Sequence, residues 1–250
     1  MRHSYIDKYS NINSPIHRLD ARVKLIYSCI FILFVVFTPI EKFFSLALYG
    51  ILTLTLILFS RVPLMFVLRR SSVAIPFVIV ISIFIPFLEK AGSEGYSLGI
   101  LNSRWLIFWN IAAKSFLCIL TMILLVSTTK LPNLLKALEK MKVPLIFIMI
   151  LSFMYRYIFV VTDELMRMQQ AKKARSVGGS RWFHNKVLAN MIGVLFLRTY
   201  ERAENVYLAM SSRGFDGKIQ TIDNFSFKLR DFYFLIAATG LLFFIRFLAA

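Results

Sequence analysis

The amino-acid sequence predicts an all-α membrane protein with about five transmembrane helices and a helical cytoplasmic domain. Two observations lead there. First, the 250 residues are 58% hydrophobic and only 17% charged, with a mean hydropathy of +0.69, whereas a soluble domain carries about a quarter charged residues. Second, the apolar residues gather into runs near the length of a bilayer span, about 20 residues for a helix, and a polar, basic stretch over 163–222 interrupts them. The net charge of +17 fits cytoplasmic loops, which collect lysine and arginine. A basic face against anionic lipid is the next simplest reading. Neither calls for nucleic acid.

The elements follow in order. Met1 to Lys24 is polar and basic with no early apolar core, so no cleavable signal peptide is expected and insertion starts at the first true span. Apolar runs fall near Leu25–Ile40, Phe43–Ser60, Val73–Leu88, Trp105–Val126, Val143–Val161 and Phe232–Leu248. Pro76 and Pro86 predict a kink or an early end in the third. Cys29 and Cys118 lie within apolar runs and read as packed thiols. Arg2, Lys8, Arg18, Arg22 and Lys24 place the N-terminus in the cytoplasm, and Arg61, Arg69 and Arg70 place the second loop there too. Four spans return the chain to the cytoplasm at Lys130.

The fifth run meets a conflict. Its two flanks, Lys130 to Lys142 and 163–222, are both basic and belong on the same side. Arg156 within it is costly in hydrocarbon. Residues 143–161 are therefore expected along the interface or buried among other helices, without crossing. Phe232–Leu248 crosses once, giving five spans with the N-terminus inside and the C-terminus outside. The expected organisation is a transmembrane part over 1–129, a cytoplasmic or interfacial helical part over 130–225, and a last transmembrane helix over 226–250.

Within the middle part, 131–141 reads as an amphipathic helix with Pro132 in its first turn and Pro144 ending it. Residues 154–174 continue as a long helix, 186–198 as a shorter apolar one, and 199–212 as an amphipathic one. Their apolar stripes predict packing under the membrane.

One pattern occurs twice there. Ala171-x-x-x-Arg175-Ser176-x-x-Gly179 recurs as Ala209-x-x-x-Arg213-Gly214-x-x-Gly217. Gly178 and Gly179 in the first copy, and Gly214 and Gly217 in the second, supply left-handed residues that stop a helix. Arginine in a last turn suits the helix dipole, so either copy alone reads as ordinary capping. The matched repetition points further, to two helix ends docking on two equivalent sites of a soluble partner. Arginine offers a planar fork for a carboxylate, and the small neighbour lets a partner backbone approach.

Chemistry of other kinds is poorly supplied. His3, His17 and His184 form no metal-ligand spacing, and no phosphate-binding glycine-lysine loop appears. Asp163-Glu164 and Glu201/Glu204 read as surface charges paired with Arg167 and Arg198/Arg202. Lys114 lies mid-span. It is either a functional group, as intramembrane charges commonly are, or a donor to backbone carbonyls or a bundle partner.

The run from Arg198 through Tyr200, Glu201, Arg202 and Glu204 to Ser212-Arg213-Gly214 and Gly217 resembles the transmembrane T component of energy-coupling factor (ECF) transporters, in the CbiQ-type cobalt/nickel branch. Ser14-Pro15-Ile16-His17-Arg18-Leu19-Asp20-Ala21-Arg22-Val23-Lys24 resembles that branch's N-terminal signature. The similarity covers nearly the whole chain. It implies that the helical cytoplasmic domain is a coupling domain whose two helices end in an Ala/Ser-Arg-Gly-like triplet, each docking on one of two ATP-binding ATPase subunits. The matching triplets are Ala174-Arg175-Ser176 and Ser212-Arg213-Gly214, the first departing from the pattern with Ser176. The resemblance also implies that cobalt or nickel is bound by a separate membrane subunit, and that this chain is a non-catalytic, multi-pass component of the cell membrane without a cofactor. The rival readings are the T component of a vitamin transporter and a membrane-embedded enzyme acting on a lipid phosphate. The latter would need an acidic cluster that the chain lacks.

Overall fold

A computed structural model describes residues 14–39, 43–88, 100–175, 181–217 and 229–248. Among the described residues the regular structure is helical: α1 Ala21–Val36, α2 Phe43–Ser60, α3 Leu64–Ser71, α4 Ile75–Leu88, α5 Ile100–Thr128, α6 Leu131–Lys140, α7 Leu145–Arg175, α8 Arg181–Ser211 and α9 Leu229–Leu248. The chain divides into two compact units at Leu138, near the end of α6, and again after Asp223. One unit holds α1–α5, most of α6 and α9. The other holds α7 and α8.

In the first unit α5 packs against α1, α2, α3 and α4, and α9 closes on α1 and α2. Tyr27, Phe31 and Val35 of α1 meet Leu46 and Tyr49 of α2, Leu117 of α5, and Leu242 and Ile245 of α9 in one buried cluster. Edge-on ring contacts stiffen it, Phe31 on Tyr49 at 5.9 Å and Phe34 on Phe243 at 5.0 Å between centroids, a geometry that aromatic quadrupoles favour. A second cluster joins Ile57 of α2, Val67 of α3, and Leu120 and Leu124 of α5.

Polar groups tie the ends of this bundle. Ser14 Oγ lies 2.7 Å from His17 Nδ1 and accepts from the His17 backbone N–H, closing a turn that drives Ile16 and Leu19 into buried positions. Asp20 caps α1, its carboxylate accepting from the Arg22 N–H at 3.0 Å. Its own N–H donates to Asp231 of α9 at 3.4 Å. Lys24, one turn into α1 and ahead of its long apolar stretch, donates to the carbonyls of His17 at 3.3 Å and Thr128 at 3.0 Å. Thr128 ends α5, where carbonyls lack intrahelical donors. Burial pushes the Lys24 ammonium down to about 8, against the upward pull of Asp20 and Asp231. A single buried cation thus joins the N-terminal turn, α1 and α5, beside a carboxylate from α9.

At the other end of α1, Lys114 of α5 donates to the carbonyls of Thr38 at 2.6 Å and Val36 at 3.3 Å. Of the two readings of this intramembrane lysine, the structure supports the donor to backbone carbonyls.

Several expectations are redrawn. The third apolar run starts later as a helix: α3 and α4 are separate and bent by 47° across a short break. Pro76 stands in the first turn of α4, where its missing N–H costs no helical bond. Residues 143–161 and 154–174 are one helix, α7, which contains no glycine or proline. Residues 186–198 and 199–212 are likewise one helix, α8, because a change of amphipathic pattern at Arg198 does not break the backbone. Pro144 opens α7 and does not end α6. Lys142, at φ 64°, ends α6: the Lys142 N–H bonds the Glu139 carbonyl and the Val143 N–H bonds the Leu138 carbonyl, the paired bonds of a left-handed helix stop.

By length and composition, α2, part of α5 and α7 are each able to span a membrane, with α3 and α4 together as a possible fourth broken span. The five spans expected from the sequence are composed differently. They included α1, which has only 16 residues, and α9, which carries Arg230, Asp231 and Arg246, and excluded α7.

Lys24→Met should destabilise the detergent-solubilised protein by about 3 kcal/mol, as removing one partner of a buried charge cluster does, and Asp231→Asn added to it should recover part of the loss. The folded protein gives up the Lys24 proton near pH 8, while the unfolded chain holds it to 10.5. The cost of burying this charge is therefore present in full below pH 8, and stability should rise with pH across that window. Thermal unfolding should show the Lys24→Met protein lacking that rise.

Candidate docking surface on two paired helices

The second unit is built on two helices of 31 residues each. Their pairing is antiparallel, because early residues of α7 share a cleft with late residues of α8. Met149, Phe153 and Tyr157 face Val206 and Met210 across one cleft of about 930 Å³. Met168 and Lys172 of α7 lie with Met191 and Val194 of α8 around another, of about 400 Å³. Between the clefts Arg198 of α8 is ion-paired with Glu164 of α7, and Arg198 lines both. Glu164 was expected to pair along its own helix with Arg167. Its partner lies across the pair, a contact that no local spacing signals.

The two clefts differ in chemistry. The larger is walled by methionine, aromatic and valine side chains, with charges only toward the ion pair. Along the apolar half of α7 only Ile148 is buried, so this half presents most of its surface outside its own unit. Arg156 is exposed within it and borders a third cleft with Tyr155, Phe159 and Phe215. The smaller cleft is basic: Lys172, Arg175, His184 and Arg198 line it together with the apolar Met168, Val187, Met191 and Val194.

Arg175 is the last residue of α7, and Ala174 beside it is exposed. Ser176, Gly178 and Gly179 lie outside the described residues. The end of α8 is fully drawn. The Gly214 N–H bonds the Ser211 carbonyl at 3.0 Å, and the Phe215 N–H bonds the Met210 carbonyl at 3.1 Å, the two bonds of a Schellman stop. Gly214 has φ +77° and Gly217 φ +82°, the left-handed region that glycine enters without penalty. Phe215 lies by Met210 at the edge of the apolar cleft, the hydrophobic contact that accompanies such a stop. In Ser212-Arg213-Gly214 the arginine is therefore the C-cap residue, with both neighbours exposed.

The structure does not bring the two arginines together. Arg175 lies about 16 Å along α7 from Glu164, and Arg213 about 22 Å past Arg198, at ~1.5 Å per residue. They occupy opposite ends of the antiparallel pair, no more than about 40 Å apart. Lys172 was not singled out in the sequence, and His184 only as a rejected metal ligand, since their shared cleft exists only once α7 and α8 pair. Among the described residues no group of three or more His, Cys, Asp or Glu side chains could hold a metal ion.

Residues 12–222 match the family described as cobalt transport protein, CbiQ. An uncharacterized protein of Methanocaldococcus jannaschii is 29% identical over 241 residues, covering 93% of this chain and 82% of the relative. The energy-coupling factor transporter transmembrane protein EcfT of Listeria innocua is 28% identical over 231 residues, covering 87% and 86%. The protein of the same name in Streptococcus equi is 30% identical over 226 residues, covering 85% and 83%.

Gly214→Ala should destabilise the end of α8 by about 1 kcal/mol, the cost of holding an L-residue in the left-handed region. A Cβ at Gly214 meets nothing within 4 Å, so the cost is conformational and not steric. Hydrogen exchange should quicken at Gly214 and Phe215 and stay unchanged in the middle of α8.

Proposed function

Because the chain belongs to the CbiQ cobalt transport protein family, we propose that it is the non-catalytic membrane coupling subunit of an ATP-driven energy-coupling factor uptake transporter. The observation that carries this reading is the pair of exposed, arginine-tipped helix ends held at opposite ends of one antiparallel pair. Two identical or homologous ATPase subunits, side by side, offer two equivalent grooves that such ends fit. Arg175 with Ala174 and Ser176 docks on one. Arg213 with Ser212 and Gly214 docks on the other. Gly214 ends the helix that carries Arg213.

α7 runs without a break from its arginine tip, past the Glu164–Arg198 pair, to the wall of the large apolar cleft, while the Arg213 end of α8 adjoins that wall directly. Displacement of the tips during ATP binding and hydrolysis is thereby felt at the apolar walls. Those walls are the surface against which a substrate-binding membrane subunit is reoriented. The 163–222 segment and the N-terminus lie in the cytoplasm of a multi-pass cell-membrane protein, as its basic residues require. Cobalt is the cargo that the family's description favours, with nickel next, held by the separate subunit. The relatives named EcfT support a second reading in the same role, a T component that serves vitamin-binding subunits.

The test is co-purification with co-expressed ATPase subunits. Wild type should bring down two copies. Arg175→Ala and Arg213→Ala should each lose one or weaken its retention, and the double variant should lose both together with transport-coupled ATP hydrolysis. Undiminished assembly and uptake in the double variant would overturn the reading. The membrane subunit that co-purifies identifies the cargo: a metal-binding one supports cobalt or nickel, and a vitamin-binding one supports the second reading.

A further inference from the structure

We propose that the basic cleft between the C-terminal half of α7 and the N-terminal half of α8 is itself a receptor, taking an acidic, amphipathic segment of one ATPase subunit. The inference rests on the docking role proposed above and goes beyond it. There Arg175 acts as a helix tip entering a groove of the partner. Here a groove of this chain receives the partner in return.

The chemistry of the cleft selects its occupant. Its volume, about 400 Å³, is bounded by Lys172, Arg175, His184 and Arg198, with no carboxylate among its lining residues. Met168, Val187, Met191 and Val194 complete the lining with apolar side chains, and methionine thioethers repack readily. Basic and apolar side chains together fit a segment that carries carboxylates on one edge and aliphatic side chains on the other. They do not fit a free anion, which would leave the apolar lining unfilled, nor an uncharged apolar helix, which would leave Lys172 and Arg175 facing it. Lys172 and Arg175 share one face of α7 by their spacing of three. His184 meets them from the other helix, and its ring can donate to a carboxylate. Arg198 is already engaged by Glu164 and closes the cleft.

The end of α8 has no such companion. Arg213 is the exposed C-cap of α8, and the cleft nearest it, lined by Phe153, Phe159, Met210 and Phe215, carries a single basic side chain, Arg156. The first dock thus carries more basic side chains than the second. More charge–charge pairs are on offer there, so the cleft site should be the tighter and the more salt-sensitive of the two.

The experiment uses the full chain with co-expressed ATPase subunits in detergent and measures ATPase affinity across a salt series. Lys172→Gln with His184→Gln should weaken binding about tenfold, 1.4 kcal/mol, and flatten its salt dependence. Lys173→Gln, next door on α7 but outside the cleft lining, should change it less than about twofold. The apparent melting temperature of the isolated chain should be equal in all three proteins, which separates docking from folding. Equal affinities for the cleft and control variants would overturn the proposal. Two further outcomes are distinguishable. If Arg175→Ala/Arg213→Ala also keeps full affinity, the docking role fails along with the cleft. If that variant loses the ATPases while the cleft variant keeps them, the cleft alone fails.

Discussion

In the unit of α1–α5 and α9, distant segments converge on one buried lysine. Lys24 holds the carbonyls of His17 and Thr128 while Asp20 and Asp231 balance its charge. A buried ammonium with neither would be ejected or neutralised. The partners are therefore as constrained as the lysine. The turn of 14–19 must bring the His17 carbonyl down, α5 must end at Thr128, and α9 must start early enough to place Asp231 against the Asp20 N–H. Chain segments far apart in sequence are brought to one point by this requirement, and the hydrophobic clusters pack from there. The N-terminal run Ser14 to Lys24 is mostly a structural device: Ser14 and His17 shape the turn, Ile16 and Leu19 plug it, Asp20 caps, and Lys24 anchors.

The other unit follows a different logic. Among the described residues it has little core of its own, and its order comes from helix continuity, the Glu164–Arg198 pair and well-made helix ends. An exposed ion pair contributes under about 1 kcal/mol, so Glu164–Arg198 acts as a register mark more than as a source of stability. The register it marks separates a wide apolar cleft from a narrow basic one. The same two helices thus present surfaces of opposite chemistry, with the pair as the boundary.

Much of this was legible beforehand, for identifiable reasons. Apolar composition and run length predict helices in a membrane, because a span must satisfy its backbone internally. The repeated Arg-small-x-x-Gly pattern predicts helix ends because left-handed stops favour glycine. Gly214 shows such a stop, while the first copy's Ser176 to Gly179 lies outside the described residues. What was hidden depends on continuity or on tertiary contact. Charge bias argued against a crossing at 143–161, and it carried no information that the helix runs on unbroken to Arg175. Lys142 as a helix stop could not be read, since lysine has no preference for positive φ. The choice between two roles for Lys114 needed the end of α1 beside it. The basic cleft needed α7 and α8 paired before Lys172 and His184 had anything in common.

The two long helices differ in one respect with a mechanical consequence. α7 has neither glycine nor proline along its 31 residues, whereas α8 carries Gly193 little more than a turn before Arg198. Glycine in a helix interior lacks the side chain that restricts the backbone, and a Cβ at Gly193 would touch nothing within 4 Å, so no neighbour packs against it there. α7 is the more uniformly restrained rod along its full length. In α8 the glycine falls on the Arg181 side of Arg198, so the half that walls the large apolar cleft keeps an unbroken run of side chains up to its Gly214 stop.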